Sequence, residues 1–316
     1  MGKATRSLVF VGLVAARSAA LSLYCMRRGF PAYTAIYGGM ASFERQMERV
    51  KMRRPALVVK GVLSLMGRVP TIPIPGGKIC IPRRNEEDVM ASLFQTFVEK
   101  EYETDPRYVP RPGHVVVDAG GFVGLWTIRV SKMIGNSGRV IVVEPNPSTL
   151  PELETNIRLN GLKNVTVVSR ALGSRPGQAE LFFPVQGSGS ASSSLFQVHV
   201  EQVVGYLDGK REDIVRTRTE MTTIDELIHD QGVGRLDILK LDVEGAEMSA
   251  LEGAKEALKG RLVKRLIVEV HVDICSEDQV AALLKGYGYE IDHEMRTPAE
   301  TGEGRALVFA RSGSDG

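Results

Sequence analysis

Cysteine is scarce in this chain of 316 residues. The three cysteines, Cys25, Cys80 and Cys275, lie far apart and have no metal-type spacing. This scarcity excludes a disulfide framework and a structural zinc site, and it favours a reducing compartment. We therefore expect a cytoplasmic protein. Whether it is also peripheral to a membrane or anchored in one depends on its N-terminal residues.

The apolar residues near the N terminus form no run long enough to span a bilayer. Residues 8–26 read LVFVGLVAARSAALSLYCM, and Arg17 follows the uninterrupted run from Leu8 to Ala16. An arginine at mid-membrane costs about 2.5–3.5 kcal/mol. Three interpretations stay open: an interfacial helix on an anionic membrane, a marginal membrane anchor, and a helix packed on the body of the protein.

Net charge is low, at +2, but it is distributed unevenly. Residues 1–60 contain eleven Lys and Arg against Glu44 and Glu48, a net +9 that leaves −7 for the rest. A basic arm favours an anionic membrane surface as its partner. The run KMRR at 51–54 has no interleaved aromatic platform, so we expect no nucleic-acid partner. We predict a basic extension over 1–82 and a second domain over 83–312.

The segment from Val115 to Glu144 reads as strand, glycine turn, helix and strand. Its first strand is a short apolar run, as in a buried parallel strand, and it ends on Asp118. A side chain in the following turn would obstruct a ligand or close helix packing. The glycines of this turn are Gly120, Gly121 and Gly124. Glu144 ends the second strand, where an acid grips the ribose diol in nucleotide-binding βαβ units.

The spacing of the glycines favours S-adenosylmethionine (SAM) over a dinucleotide. A GxGxxG fingerprint from Gly120 would need glycines at 122 and 125, which are Phe122 and Leu125. Phe122 would block close approach to a pyrophosphate, so NAD and FAD are disfavoured. An acid followed by G-x-x-x-G suits an adenosyl ligand without phosphates. The alternative is that the glycines only pack a helix against a strand.

Apolar strands and capped helices alternate through about 200 residues, which predicts an α/β fold with a doubly wound, mostly parallel sheet. Capping boxes are expected at Thr223 with Glu226 and at Ser276 with Gln279, and Gly253 predicts a break in a helix over 245–259. The last two strands, about 288–294 and 305–310, imply an antiparallel edge. The serine-rich run 187–194 is either a flexible linker or a lid.

With these segments in place, the chain resembles the FkbM-type SAM-dependent methyltransferases. The matching segments are VVVDAGGFVG, VIVVEPNP, LETNIRLNGLKNV, SRALGSRPG, TIDEL, DILKLDVEGAEMSALEGA and LIVEVH, in consistent order over roughly residues 95–295. One departure is Gly120-Gly121-Phe122, where the family usually has a GAN-like sequence. The resemblance implies a seven-stranded, Rossmann-like class I methyltransferase fold. It also implies methyl transfer to a hydroxyl of a carbohydrate or natural product, and the basic, apolar N terminus adds a glycolipid as a third acceptor class.

Ligands of open α/β sheets bind beyond the carboxyl ends of the strands, so strand ends supply the candidate site residues. Core strands are expected to end at Asp118, Glu144, Ala171, Asp242 and His271. We predict that Glu144 binds both ribose hydroxyls and that Asp118 stabilises the glycine turn and the cofactor's amino-acid end. The predicted cofactor contacts are Asp118, Gly120, Gly121, Gly124, Glu144, Asn146, Ala171 and Asp242.

Catalysis is assigned to Asp242, Glu244 and His271. Asp242 is expected to face the methyl group and the acceptor, and His271 is a candidate general base because its unperturbed pKa lies near 6.5. A structural histidine is the alternative for His271, and a carboxylate favoured by a helix N-terminus is the alternative for Glu244. Asp242, Glu269 and His271 lack a diagnostic ligand spacing, so no metal site is predicted. The remaining histidines, His199 among them, are given no role.

Two other functions stay open. The chain could be a binding protein that holds SAM or its product without turnover. In that case Phe122 in the glycine turn would indicate that catalytic activity has been lost. A nicotinamide-dependent oxidoreductase is the third hypothesis. Calorimetry with NAD and S-adenosylhomocysteine (SAH) separates it from the methyltransferase and the SAM-binding protein.

Overall fold

A computed structural model describes residues 71–80, 86–185, 191–206, 213–297 and 304–313. The chain divides into two units, Met1–Ile81 and Pro82–Gly316. The apolar segment 8–26, the basic arm and the first part of the serine-rich run lie outside the described residues, so the domain boundary and the membrane contact stay predictions. In the described part of the chain, no helix is long and apolar enough to cross a membrane.

The described residues of the first unit form a hairpin. Its strands are β1 (Thr71–Ile74) and β2 (Gly77–Cys80), which pair antiparallel. Gly76 lies in the turn with φ 77°, a left-handed value that glycine adopts without strain.

The second unit alternates strands with helices. Its strands are β3 (Val115–Ala119), β4 (Arg139–Val143), β5 (Val165–Val168), β6 (Ala171–Leu172), β7 (Gly177–Pro184), β8 (Ile214–Thr222), β9 (Ile238–Leu241), β10 (Arg265–His271), β11 (Tyr289–Thr297) and β12 (Arg305–Ser312). Its helices are α1 (Glu86–Leu93), α2 (Leu125–Ile134), α3 (Leu150–Leu159), α4 (Gln197–Tyr206), α5 (Ile224–Asp230), α6 (Glu247–Glu252), α7 (Lys255–Lys259) and α8 (Glu277–Gly286). A π-helical turn, Phe94–Glu99, and two 3-10 turns, Glu101–Glu103 and Pro106–Tyr108, lead from α1 toward β3.

Seven strands form the main sheet, in the order β11-β12-β10-β9-β3-β4-β5. Strands β5, β4, β3, β9 and β10 are parallel, which confirms the doubly wound, mostly parallel α/β fold. The last two strands pair antiparallel at one edge of the sheet, as predicted. Strand β12 is antiparallel to both neighbours and lies between β10 and β11, so the edge strand β11 runs parallel to the core strands.

A separate sheet of three strands, in the order β6-β8-β7, lies outside the main one. The sequence places Ala171 at the end of the third core strand, and this is wrong. That strand ends at Val168, and Ala171 begins β6, where it pairs with Met221 of β8.

The main sheet is buried on both faces, which explains its continuous apolar strands. Side chains of successive strand residues point to opposite faces. Val117 therefore packs in one core cluster with Ile141, and Val116 packs in another with Val140.

The helix ends follow their sequence signals. Ser276 and Gln279 form the predicted capping box, and the Thr223 side chain accepts a hydrogen bond from the Glu226 amide at 3.1 Å. The predicted break at Gly253 separates α6 from α7. A Cβ at Gly253 would lie 2.1 Å from the carbonyl oxygen of Gly173, so this close approach requires glycine.

Candidate functional site

The glycine turn joins β3 to α2 at the carboxyl end of the sheet. A Cβ at Gly120 would lie 1.7 Å from the Asp242 carbonyl oxygen, and one at Gly121 would lie 2.2 Å from Cγ2 of Val142. A Cβ at Gly124 would lie 2.7 Å from the Leu153 side chain. These glycines therefore let the turn approach β9, β4 and α3 closely, so packing alone already requires them.

Phe122 occupies the centre of this turn in a left-handed conformation, with φ 48°. An L-residue with a Cβ pays about 1–2 kcal/mol in this region, and asparagine tolerates it better than phenylalanine. The strained backbone aims the Phe122 amide at Glu144, where it donates a hydrogen bond of 2.8 Å.

Glu144 lies just past the end of β4, as predicted, and it is 5% exposed. Its two carboxylate oxygens accept hydrogen bonds from the backbone amides of Phe122 (2.8 Å) and Asn146 (2.9 Å). Burial raises the pKa of this carboxyl to about 7, and the two amide bonds only partly oppose that rise. A carboxylate has about four lone-pair sites, so Glu144 can accept further donors.

Asp118 is buried beneath the glycine turn at the end of β3. Its oxygens accept from the Thr127 hydroxyl at 2.5 Å and from Nζ of Lys240 at 3.2 Å. The same ammonium donates to the Gly120 carbonyl at 3.0 Å and lies 3.2 Å from Asp242. Asp118 thus holds the turn in place through Lys240, which is the first half of its predicted role.

Asp242 follows β9 and is surrounded by charged side chains. The Tyr102 hydroxyl donates to Glu269 at 2.5 Å and lies 3.3 Å from Asp242, and Arg305 pairs with Glu269. Burial and the nearby Glu269 charge raise the pKa of Asp242 to about 7, and Lys240 opposes the rise. Burial also disfavours the Glu269 carboxylate, but Arg305 outweighs it and lowers the Glu269 pKa.

His271 ends β10, and both of its ring nitrogens face carboxylates. Nδ1 lies 3.0 Å from Glu247, and Nε2 lies 3.3 Å from Glu244. Burial opposes protonation of the ring, yet Glu244 and Glu247 outweigh it and raise the pKa well above its usual range. Carboxylates on both ring nitrogens thus favour a charged ring, which is poorly suited to accept a further proton.

Glu244 lies between two histidines. Its Oε2 is 2.8 Å from Nε2 of His199 and 3.3 Å from Nε2 of His271. Glu244 itself has φ 53°, so strained backbone carries its side chain to this position. The second ring nitrogen of His199 lies 2.7 Å from Asp273.

Asn146 is fully buried next to Glu144, but it does not begin a helix. Its side-chain oxygen accepts from the Ser148 amide at 2.8 Å, and α3 begins only at Leu150. Its amide nitrogen donates to Ser193 at 2.6 Å, which ties the end of β4 to the segment before α4. Ala171, which the sequence places at the end of a core strand, instead begins β6.

The structure therefore brings most of the predicted residues to one edge of the sheet, and it adds side chains that the sequence did not single out. Lys240 shares a strand face with Asp242 two residues on, and this spacing could have identified it. Tyr102 and His199 come from segments far apart in the chain, and no local spacing reveals them. Asp273 lies two residues after His271, in the turn that follows β10.

Comparison with known proteins gives a consistent match. The FkbM methyltransferase domain family matches residues 118–291. Methyltransferase sdnD of Sordaria araneosa is 28% identical over 224 residues, which cover 65% of this chain and 86% of that protein. The 31-O-demethyl-FK506 methyltransferase FkbM of Streptomyces tacrolimicus is 25% identical over 221 residues, which cover 63% and 83%. The crystal structure of a methyltransferase FkbM from Methylobacillus flagellatus is 17% identical, covers 72% of this chain and 55% of that chain, and has a TM-score of 0.42.

Proposed function

The chain belongs to the FkbM methyltransferase family, and from that premise we propose that it methylates a hydroxyl oxygen of a small-molecule acceptor, with Asp242 as the general base. Membership in the family makes it a SAM-dependent methyltransferase. The choice of oxygen, the acceptor class and the roles of individual residues are the proposal. The observation that carries it is the position of the Asp242 carboxyl, which follows β9 at the edge of the sheet with its side chain 22% exposed. Burial and the Glu269 charge also raise the pKa of this carboxyl to about 7.

Residues at the carboxyl ends of β4 and β9 fit an adenosyl ligand. Glu144 has acceptor capacity for two ribose hydroxyls, and the glycine turn brings the backbone amide of Phe122 next to it. One strand, β3, separates β4 from β9, so the two strand ends are about 9–10 Å apart. That span suits a nucleoside held at one end by Glu144 and reaching toward Asp242 at the other.

When bound, SAM would supply an electrophilic methyl group, which passes to the acceptor oxygen as its bond to sulfur breaks and SAH leaves. The task of the protein is to hold the hydroxyl in line with that methyl group and to take its proton. A base works best when its pKa lies near the working pH, and Asp242 meets this condition. Lys240 and Tyr102 position the carboxylate, because each lies within 3.3 Å of its Oδ2.

Apolar side chains at the surface favour an acceptor with an apolar portion. Phe196 and Val198 precede His199 and are 37% and 52% exposed, and Val272 precedes Asp273 and is 42% exposed. His199 contacts Asp273, so each of these exposed apolar residues is close in sequence to a residue at the edge of the site. A natural product or glycolipid with a hydroxyl on an apolar body would use both features. The Streptomyces relative is itself named for a 31-O-demethyl-FK506 substrate.

Transfer of a labelled methyl group tests the proposal. The full chain is incubated with methyl-labelled SAM and fractionated cell extract, and the fraction that gains label is identified. Replacing Asp242→Asn is expected to lower the transfer rate by about 10²–10⁴-fold, as for loss of a general base, while SAH binding stays within a few-fold. Asp278→Asn, at an exposed position on α8, is the matched control and should stay fully active. Full activity in the Asp242 variant would remove it from the catalytic residues.

Contact with an anionic membrane remains a proposal for residues 1–60, supported by their net charge of +9. Each basic residue near an anionic surface contributes about 1 kcal/mol at low salt. Deleting residues 1–30 is therefore expected to weaken binding to phosphatidylserine liposomes in a sedimentation assay. Equal sedimentation of the full-length chain and the chain without residues 1–30 would contradict the proposed membrane contact.

A further inference from the structure

Three side chains from separate parts of the chain converge at the edge of the main sheet. His199 comes from α4, Glu244 from the loop before α6, and His271 from the end of β10. One ligand atom from each lies within 4.8 Å of the others. Two of these separations, from Oε2 of Glu244 to Nε2 of His199 and to Nε2 of His271, are 2.8 and 3.3 Å.

The other nitrogen of each imidazole is held by a carboxylate. Nδ1 of His199 lies 2.7 Å from Asp273, and Nδ1 of His271 lies 3.0 Å from Glu247. Glu247 is fixed in turn by the backbone amides of Val243 and Gly245. A carboxylate on Nδ1 fixes the ring orientation and directs the Nε2 lone pair outward, which is the usual support of a metal-binding histidine.

The charge balance also favours a cation. The carboxylates of Glu244, Glu247 and Asp273 surround the two imidazoles, and the side chains of Glu244 and Asp273 are only 17% and 22% exposed. Each Nε2 atom faces the Glu244 carboxylate, so a positive charge is favoured between these atoms. A ring proton supplies that charge in the unloaded chain, and a metal ion would supply it in place of the proton.

We propose that His199, Glu244 and His271 bind a divalent transition-metal ion through the two Nε2 atoms and a Glu244 carboxylate oxygen. Two donors each about 2.0–2.2 Å from one ion are about 3.0–3.5 Å apart, close to the separations in this cluster. Imidazole with carboxylate suits Zn²⁺, Mn²⁺, Fe²⁺ or Co²⁺, whereas Mg²⁺ and Ca²⁺ prefer all-oxygen sets. His199, which the sequence could not bring to this position, completes the ligand set and accounts for the earlier expectation of no metal site.

Three protein ligands leave coordination positions open, as in catalytic metal sites. His271 also forms a second cluster of ligand atoms with Asp242 and Glu269, all within 4.8 Å, so the ion would lie beside the proposed base. An acceptor hydroxyl bound to the ion would then lie next to Asp242, and the divalent cation would lower the pKa of that hydroxyl. This last step rests on the proposed methyl transfer, whereas metal binding itself does not.

Metal binding is tested on the full chain after treatment with a chelator. Titration with Zn²⁺ and Co²⁺ is followed by metal analysis after gel filtration and by the visible absorption of Co²⁺. We expect one ion per chain and the absorption of a low-symmetry nitrogen–oxygen site. Asp273→Asn keeps the three ligands but releases one ring, so affinity should fall by about 10–100-fold. The affinity of His199→Gln should fall further, because one imidazole ligand is lost.

The control is His229→Gln, because the His229 side chain is 90% exposed, and its affinity should equal that of the unmodified chain. Metal uptake by the unmodified chain tests the proposed site even if a variant fails to fold. If the unmodified chain takes up no stoichiometric metal at micromolar concentration, the cluster is an ion-pair network of protonated histidines and the proposal is overturned. Unchanged metal binding in His199→Gln would also overturn it. SAH calorimetry in parallel separates this failure from failure of the proposed function, because Glu144 and the glycine turn bind SAH without the metal.

Discussion

Binding of SAH should depend on pH through Glu144. Burial raises the pKa of this carboxyl from 4.5 to about 7, and a ribose diol donates two hydrogen bonds to the ionised form. The ligand therefore selects the carboxylate and releases a proton below pH 7. Affinity should fall about tenfold for each pH unit below 7, because the binding-competent fraction falls by that factor. Between pH 8 and pH 5.5 this amounts to a loss of about 30-fold.

Isothermal titration calorimetry of SAH from pH 5.5 to 8.5 measures this dependence. Glu144→Gln removes the titrating group and should flatten the profile. It should also weaken binding at pH 8 by about 10–150-fold, the equivalent of one charge-assisted hydrogen bond of about 1.5–3 kcal/mol. Glu154→Gln, whose side chain is 54% exposed on α3, is the control and should keep the pH profile of the unmodified chain. A flat profile in the unmodified chain, or an unaltered one in Glu144→Gln, would refute the assignment of Glu144 to the ribose.

Three further predictions concern stability and are measured as free energies of unfolding in urea. Phe122→Asn should stabilise the chain by about 1 kcal/mol, because asparagine tolerates the left-handed φ of 48°, and a loss of stability would contradict this account of the turn. Glu247→Ala should cost about 3–5 kcal/mol, because it leaves His271 and two backbone amides without their buried anion, whereas Glu252→Ala at an exposed position should be nearly neutral. Tyr102→Phe should cost about 1–3 kcal/mol by removing the hydroxyl that donates to buried Glu269, and a neutral substitution would show that Arg305 alone satisfies this carboxylate.

The sequence predicts the fold well where hydrophobic period and capping signals agree. The apolar runs at 115–117 and 140–143 and the Ser276–Gln279 capping box are all in place. Prediction from the sequence fails where the order of the strands in the sheet depends on packing. Nothing in the residues of β12 shows that this strand inserts between β10 and β11, and nothing near Ala171 shows that the chain leaves the main sheet after Val168.

The site is predictable to the extent that it follows strand ends. Asp118, Glu144, Asp242 and His271 lie at the carboxyl edge because parallel strands bring their carboxyl ends together. Their partners come from long-range packing. His199 lies 72 positions from His271 in the sequence and reaches Glu244 from α4, whose Val200 and Val204 pack with Phe182 of β7. The sequence also gives no sign that Glu247, at the start of a helix, is fully buried and hydrogen-bonded to His271.

The central claim is that Glu144 and Asp242 mark the two ends of one SAM pocket at the carboxyl edge of β4 and β9. A crystal structure of the chain with SAH tests it most directly. The account predicts both ribose hydroxyls within hydrogen-bond distance of the Glu144 carboxylate and the sulfur on the side of Asp242. A nucleoside bound elsewhere, or a ribose that makes no contact with Glu144, would contradict it.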